Sequence, residues 1–345
     1  MRPATTRLTH PMRRAALASA ALFCSSGLAD TSLPMVLDTV PLALEESPAN
    51  TVQGRLKPHG MLVIPNVVID GQRLSQLSDL AWDDDERLLY ALSDKGILFH
   101  LRPRFSKGEL TGLELRKVAV LKGEQGRALQ PIERDAEGMD IVNGRNGRKG
   151  DAELLISFER KPRVARYRPD GTFVREYPLP AELKDPDAYQ GKNKMLEAVC
   201  YDRELGLVLV PELPLIGEPA GSTRLFDLAG KSWRYDIEPG HRISALECLG
   251  NRRVLVLERD VGRLFERSTI TLNIAWLPDS PAKVGVTTIE GIATLNAADG
   301  FRIDNFEGLT RHKGNRFFMV SDDNDLFLQR TLLLYFEIVD TASRN

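Results

Sequence analysis

The chain has 345 residues, of which 42% are hydrophobic and 27% charged, and its formal net charge is −2. This is the composition of an ordinary globular protein, long enough to bury a core of good size. The charge excludes a general pull toward nucleic acid or anionic membrane, and no basic stripe interleaved with aromatic residues compensates for it.

Arg13 and Arg14 precede the apolar run AALASAALF, and Gly27-Leu28-Ala29 puts small residues just before Asp30. Residues 1–29 therefore read as a secretory signal peptide, cut before Asp30, and the product is expected in the periplasm or outside the cell. The run is too short to span a bilayer, so no transmembrane span is expected in the mature chain. A lipoprotein reading would use Cys24, and the bulky Phe23 before it argues against lipidation. Cleavage removes four arginines and no acids, leaving a mildly acidic chain that suits a cation better than an anion.

After an N-terminal extension over residues 30–57, the domain proper is expected over 58–345. Its first strand signal is GMLVIPNVVI, Gly60–Ile69. Five similar segments follow: Leu77–Gly96, Asp135–Pro162, Met195–Pro214, Ser244–Asp260 and Asn305–Asn324. Each opens with an acid, continues through a polar turn, runs into four or five apolar residues and closes on a second acid. The first acids are Asp79, Glu137, Glu197, Glu247 and Glu307, spaced by 58, 60, 50 and 60 residues; the residues that follow them, Gly138, Ala198, Cys248 and Gly308, are small, with Leu80 the exception. The second acids are Asp94, Glu159, Glu212, Glu258 and Asp322. The second segment carries a long loop, NGRNGRKG, and the first a polar WDDDE that reads as a solvated turn.

More strand signals follow each pair, such as RVARYRPDGTFVREYPLP with Asp170-Gly171 at a hairpin turn. Helical periodicity is almost absent. Four strands repeated every 50–60 residues predict an all-β chain, a β-propeller of about five four-stranded blades. Six blades is the alternative, should residues 30–58 add strands. The last segment has one good strand left, RTLLLYFEI, and the N-terminal strand around Met61–Ile69 would complete that blade and close the ring. Inner strands sandwiched between blades need no polar alternation, and small residues suit the crowding near the axis.

Cys200 and Cys248 remain after cleavage. An oxidising compartment permits a disulfide. However, Cys200 lies three residues after its acid and Cys248 one, so equivalent strands would point both to the same face and keep them apart. Two buried free thiols are the expectation.

The segments LSDLAWDDDERLLYALSDKG, DAEGMD…LLISFERKPRVARY and NFEGLT…FFMVSDDN…QRTLLLYF resemble the phytase-like domain family, also called the "esterase-like activity of phytase" family, over roughly residues 58–340. The resemblance implies an exported bacterial propeller, with phosphoester hydrolysis suggested by the family name. The pattern of the calcium-dependent propeller phytases is not recognisable here.

The chemistry legible in the residues themselves is that of clustered carboxylates. Equivalent positions in a propeller form rings about the axis, and repelling carboxylates are relieved by a hard cation such as Ca²⁺, which takes six to eight oxygen ligands. Glu137, Glu197, Glu247 and Glu307 are expected at similar depth in the channel as metal ligands, with Asp322 and Asp323 from the dense SDDND stretch. Lys95, Arg160 and Arg259, each following a second acid, are candidates for holding a substrate's phosphate oxygens. The competing reading is structural: repeated acids bonded to backbone amides of the next blade, and neighbouring acids and bases paired with each other. The four histidines left after cleavage (His59, His100, His241 and His312) are scattered, which argues against zinc, and no nucleophile elbow or phosphate-loop motif is present. Catalytic residues are therefore not assignable, and any catalysis would be metal-assisted. Two classes of function follow: a hydrolase of small phosphoesters or related esters, and a monomeric propeller that binds a ligand or protein in the cell envelope. A calcium lactonase is a third option.

Overall fold

Strand sequence decides the architecture here, because inner strands such as Leu77–Asp83 and Gly206–Pro211 are buried along nearly their whole length and must be covered on both faces. A computed structural model describes residues 33–34, 38–40, 42, 53–260, 268–279, 282–325 and 329–340. The predicted signal peptide, its cut before Asp30 and Cys24 lie outside the described residues. Five small antiparallel sheets surround one axis. The innermost strand of each packs against those of both neighbours, the first against the fifth included.

The first blade is Leu77–Asp83, Leu88–Ser93, Ile97–Ser106 and Glu109–Val120, named from the axis outward. The second is Ala136–Val142, Glu153–Phe158, Arg163–Tyr167 and Phe173–Tyr177. The third is Leu196–Asp202, Gly206–Pro211, Ser222–Asp227 and Ser232–Asp236. The fourth is His241–Gly250, Arg253–Asp260, Thr269–Trp276 and Thr288–Asn296. The fifth has three strands of its own, Asn305–Lys313, Arg316–Asp322 and Thr331–Ile338, and takes its fourth from Leu56–Ile64. The ring thus closes by the N-terminal strand, as predicted. That strand begins at Leu56 and ends at Ile64, while Val68–Ile69 turns away into a two-stranded hairpin with Gln72–Arg73.

Residues ahead of the closing strand add no sixth blade. Leu33–Pro34 extends the outer edge of the first blade, and Asp38–Thr39 the outer edge of the fifth. Val284–Val286 runs parallel beside Ser232–Asp236 at the edge of the third. The α-helical content among the described residues is a single turn, Ala181–Lys184, and no described helix is long and apolar enough to cross a membrane.

Each innermost strand carries an extra residue against its partner near its start, a β-bulge, and those of blades four and five carry a second one further along. Bulges bend a strand and re-aim a side chain. Aligning the five hairpins on this register puts the bulged residue at Ser78, Glu137, Glu197, Ser244 and Glu307. The next residue faces the adjacent blade at the closest approach and is Asp79, Gly138, Ala198, Ala245 or Gly308. A Cβ on Gly308 would lie 2.7 Å from the Asp79 Cα, and one on Gly138 2.7 Å from the Ala198 Cα. At this level the backbones nearly touch, and Asp79 serves as the bracket. Its Oδ1 accepts from the backbone N–H groups of Leu80 and Leu309, and its Oδ2 from that of Met139, which ties three blades together.

The same register corrects the reading of the cysteines. Cys200 and Cys248 form a disulfide, with Cα atoms 5.4 Å apart. Cys200 is three residues past its bulge and Cys248 four past Ser244, so they have opposite parity and face each other across the gap between blades three and four. Treating Glu247 as equivalent to Glu197 slipped the fourth blade by three residues, and an odd slip sends every side chain to the other face. WDDDE is likewise no freely solvated turn. Asp83 is buried, accepting from the Tyr90 hydroxyl and the Glu86 N–H, and Asp85 accepts from Asn146 N and Gly147 N of the long loop of blade two.

Two measurements test this packing. Replacing both cysteines, Cys200→Ser with Cys248→Ser, should cost roughly 2–4 kcal/mol in urea unfolding, as expected for a cross-link closing a loop of this length. Gly308→Ala should cost roughly 1–3 kcal/mol by overpacking against Asp79, and the same substitution at half-buried Gly112, where a Cβ would meet only the Arg104 side chain at 3.6 Å or more, should cost far less.

Candidate functional site

The bulges gather side chains at one mouth of the channel. Three positions per blade contribute: the bulged residue, the residue two before it on the same side of the strand, and the residue that ends the second strand opposite. In blade two these are Glu137, Asp135 and Glu159, all carboxylates. Blade three offers Glu197 and Glu212, blade five Glu307, Asn305 and Asp322, and blade one Ser78, Gln76 and Asp94. Blade four reverses the charge with Arg242 and Arg259 around Ser244. The mouth is therefore polarised, with blade two negative and blade four positive across the ring.

Arg259 organises the positive side. Its guanidinium lies 2.9 Å from the Glu307 carboxylate and 4.0 Å from that of Glu197, and donates to the Asn305 side-chain carbonyl. Burial alone would lower its pKa, but the fields of Glu307, Glu197, Glu212 and Asp322 outweigh that and hold it raised. Arg242 pairs with Glu212 at 2.7 Å. In blade two the compensation is confined to the rim, where Arg160 pairs with Asp135. Two groups of three carboxylates, Asp135–Glu137–Glu159 and Glu159–Glu197–Glu212, place one oxygen of each member within 4.8 Å of the others, and they share Glu159.

The electrostatic consequence is clear. Burial, then the charge of Glu212 and of Asp135, raises the Glu159 carboxyl to about 8. Burial, then Glu159 and Glu307, holds Glu137 well above its ordinary value, and burial with Glu212 and Glu137 does the same to Glu197. Asp322 is raised to about 8 by burial and by Glu307. Carboxyls this close cannot all ionise unless a cation enters among them. The donor set is all oxygen, acidic and mostly buried, which fits a hard divalent cation such as Ca²⁺.

The sequence-predicted residues divide on this geometry. Glu137, Glu197, Glu307 and Asp322 come together at the acidic mouth. Glu247 does not: it sits three residues further along its strand, at the level of Asp140. There Glu247 Oε2 accepts from the Arg311 N–H and Asp140 Oδ2 from the Tyr201 N–H, each on the next blade. Burial raises Asp140 to about 6 and, with the charge of Asp140, Glu247 to about 8. Asp323 is turned into its own turn, accepting from Gln76 N, Asp325 N and the Thr331 hydroxyl. Among the second acids, Glu258 is one residue out of register, and Arg259 occupies the ring position. Glu258 is buried behind it with the Tyr235 hydroxyl and the Asn273 amide.

Of the three basic candidates, Lys95 and Arg160 stand at the exposed rim, paired with Asp94 at 3.2 Å and Asp135 at 2.8 Å. Arg259 lies deeper, between the two glutamates. Asp135, Glu159, Glu212 and Arg242 were not among the predicted site residues. The signal for Asp135 was its place two residues before Glu137, on the same side of the strand. The signal for blade four was Ala245, a small residue that aligns with Gly138, Ala198 and Gly308 and shifts the register to Ser244.

Comparison with known proteins adds a family. No curated protein sequence matches the chain. Among solved structures, a gluconolactonase from Xanthomonas campestris shares 11% identity over 88% of this chain and 97% of its own, with a TM-score of 0.42. The Dos1 propeller shares 8% identity over 83% and 76%, with a TM-score of 0.33. The β-propeller domain of Cps50 (Swd1) from Myceliophteria thermophila shares 10% over 89% and 100%, with a TM-score of 0.36. The family described as phytase-like, "esterase-like activity of phytase", matches residues 72–325, which takes in all but the closing strand and the last strand of the ring, and the chain belongs to that family.

Proposed function

We propose that the acidic mouth binds a divalent hard cation, Ca²⁺ in the first instance, and that the protein is an exported, metal-assisted hydrolase of small phosphoesters or related esters. The observation that carries this is the pair of carboxylate triads sharing Glu159. Asp135, Glu137, Glu159, Glu197 and Glu212 would hold the ion. A cation bound there supplies Lewis-acid polarisation of an ester or phosphoryl oxygen and lowers the pKa of a bound water.

The chain's own residues complete the site around that ion. Lys95 and Arg160 at the rim are placed to take the outer oxygens of an anionic substrate, exchanging their present acidic partners for it. Arg259, locked between Glu197 and Glu307, keeps those two carboxylates apart and fixes the side of the mouth on which negative charge is tolerated. Without a cation Glu159, raised to about 8, keeps a proton near neutral pH, and a bound cation would displace that proton and take the carboxylate as a ligand. The Cys200–Cys248 disulfide supports the export reading, since such bonds persist in oxidising compartments. A second reading, a non-catalytic binding propeller, is favoured by the internal pairing of Glu212 with Arg242 and Glu307 with Arg259.

Thermal melts with Ca²⁺ and with chelator test the cation. Ca²⁺ at about 100 times its dissociation constant should stabilise the wild type by roughly 2.7 kcal/mol, and Glu159→Gln and Glu197→Gln should remove most of that response. Hydrolysis of p-nitrophenyl phosphate and p-nitrophenyl acetate should be calcium-dependent and fall at least 100-fold in Glu159→Gln. A calcium response without turnover of either ester would favour the binding propeller. No calcium response at all would remove the cation.

The raised carboxyls also set a pH dependence for the metal-free protein. A carboxyl whose folded pKa exceeds its unfolded value stabilises the fold at low pH, and that stabilisation is lost as pH rises through the folded pKa. Glu159, Asp322 and Glu247 all titrate near 8, while burial lowers His100 and His312 to about 4, so both are neutral in this range. Urea midpoints in chelator should therefore fall between about pH 6.5 and about pH 8.5, and Ca²⁺ should flatten or reverse the slope.

A further inference from the structure

The other end of the channel is built differently. The innermost strands end there in their hairpin turns, around a cleft of about 960 Å³. The long loop of blade two reaches over it. Its Asp85 contacts anchor it to blade one, and Arg145 spans to blade five, where its Nη2 donates to the backbone carbonyls of Arg311 and His312 at 3.1 and 2.7 Å. Arg166 and Arg175 come from the outer strands of blade two, Arg203 from the turn of blade three, and Arg311 from blade five, all lining the one cleft.

These guanidiniums are not used up by the fold. Arg203 is exposed and makes no hydrogen bond or ion pair with a described residue. Arg175 stacks on the Tyr177 ring at 4.4 Å, which holds its plane while one of its nitrogens bonds the Tyr177 hydroxyl. Arg145 has donors beyond the one nitrogen that meets the two carbonyls. Most carboxylates facing the cleft are held by backbone donors, and Asp140 and Glu247 lie in the field of Arg145. Asp140 and Glu247 accept backbone N–H groups of the next blade, and Asp202 Oδ1 accepts those of Glu204 and Leu205. Glu204 is exposed at the rim. Arg166 alone is taken by a carboxylate, Glu153, at 2.5 Å. Asp202 Oδ2 is buried and has no hydrogen-bond partner among the described residues, which leaves an acceptor for a hydroxyl beside the arginines.

We propose that this mouth is a second binding site, for a small phosphorylated ligand bearing a hydroxyl group, gripped by Arg145, Arg175 and Arg203 and oriented by Asp202. Guanidinium forks match phosphate oxygens two at a time, and three of them from two blades and a crossing loop define a direction as well as a charge. The volume is that of a small-molecule pocket. The site shares no residue with the acidic mouth and does not depend on the cation reading.

Calorimetric titration of the purified protein with inorganic phosphate, pyrophosphate and glycerol 2-phosphate tests it, at low and at moderate salt. Saturable, salt-weakened binding is expected, tightest for the ligand with a hydroxyl. The pair Arg175→Glu with Arg203→Glu should weaken it at least tenfold, with melting temperature as the check on folding and Arg203→Gln as the milder variant. Asp202→Asn should reduce only the preference for glycerol 2-phosphate. The pair Lys95→Ala with Arg160→Ala, at the opposite mouth, should bind as wild type. Absence of saturable binding, equal affinity in the Arg175/Arg203 variants, or loss in the Lys95/Arg160 pair instead would overturn the proposal.

Discussion

Five strands converge on one axis, and at their closest approach the gap between neighbouring backbones admits a hydrogen atom but not a methyl group. Gly138 against Ala198, and Gly308 against Asp79, mark that limit. The bulge one residue earlier follows from it, because a straight strand could not both pass the waist and stay paired with its hairpin partner. The bulge in turn throws its own side chain into the mouth. Where that residue is Ser78 or Ser244 the bulge itself adds no charge; where it is Glu137, Glu197 or Glu307 it adds a carboxylate. The carboxylate cluster is thus a by-product of closure that the sequence has exploited at three of five positions.

Closure also explains why the compensation is lopsided. One blade supplies both arginines of the ring, and the blade across from it supplies three carboxylates. Buried charges left unpaired are costly, whereas replacing such networks by apolar residues is often neutral or better for stability. A fold under selection for stability alone would have spread the arginines evenly or removed the acids. Keeping Asp135, Glu137 and Glu159 together, with Glu159 shared between two triads, concentrates the repulsion where an ion could relieve it.

The repeat made the architecture legible. Blade number, the closing strand and the convergence of Glu137, Glu197 and Glu307 were all readable from acids and small residues at 50–60-residue intervals. What was not readable was register in the fourth blade. There the bulged position is Ser244, and nearby acids, Glu247 and Glu258, offered a false match on either side. A slip of three residues at Glu247 cost that residue's placement and the disulfide, and a slip of one at Glu258 cost the identity of Arg259 as a ring member, all for one reason: strand parity converts an odd register error into a wrong face. The cleft at the far mouth was invisible for a different reason. It is assembled from strand, turn and loop residues of all five blades, and its arginines recur at no fixed interval.

The fifth blade joins strands from the two ends of the domain, with Ile64 paired to Thr331 across more than 260 residues. Nothing shorter than the full domain can therefore finish the ring. A chain emerging from its N-terminus holds Leu56–Ile64, apolar from Met61 onward, with one edge unpaired until Thr331–Ile338 has also emerged. Contacts of such sequence separation are slow to form, and a waiting hydrophobic edge invites pairing with other chains. A molecule that lacks either end keeps this apolar edge open, and a finished one has it paired.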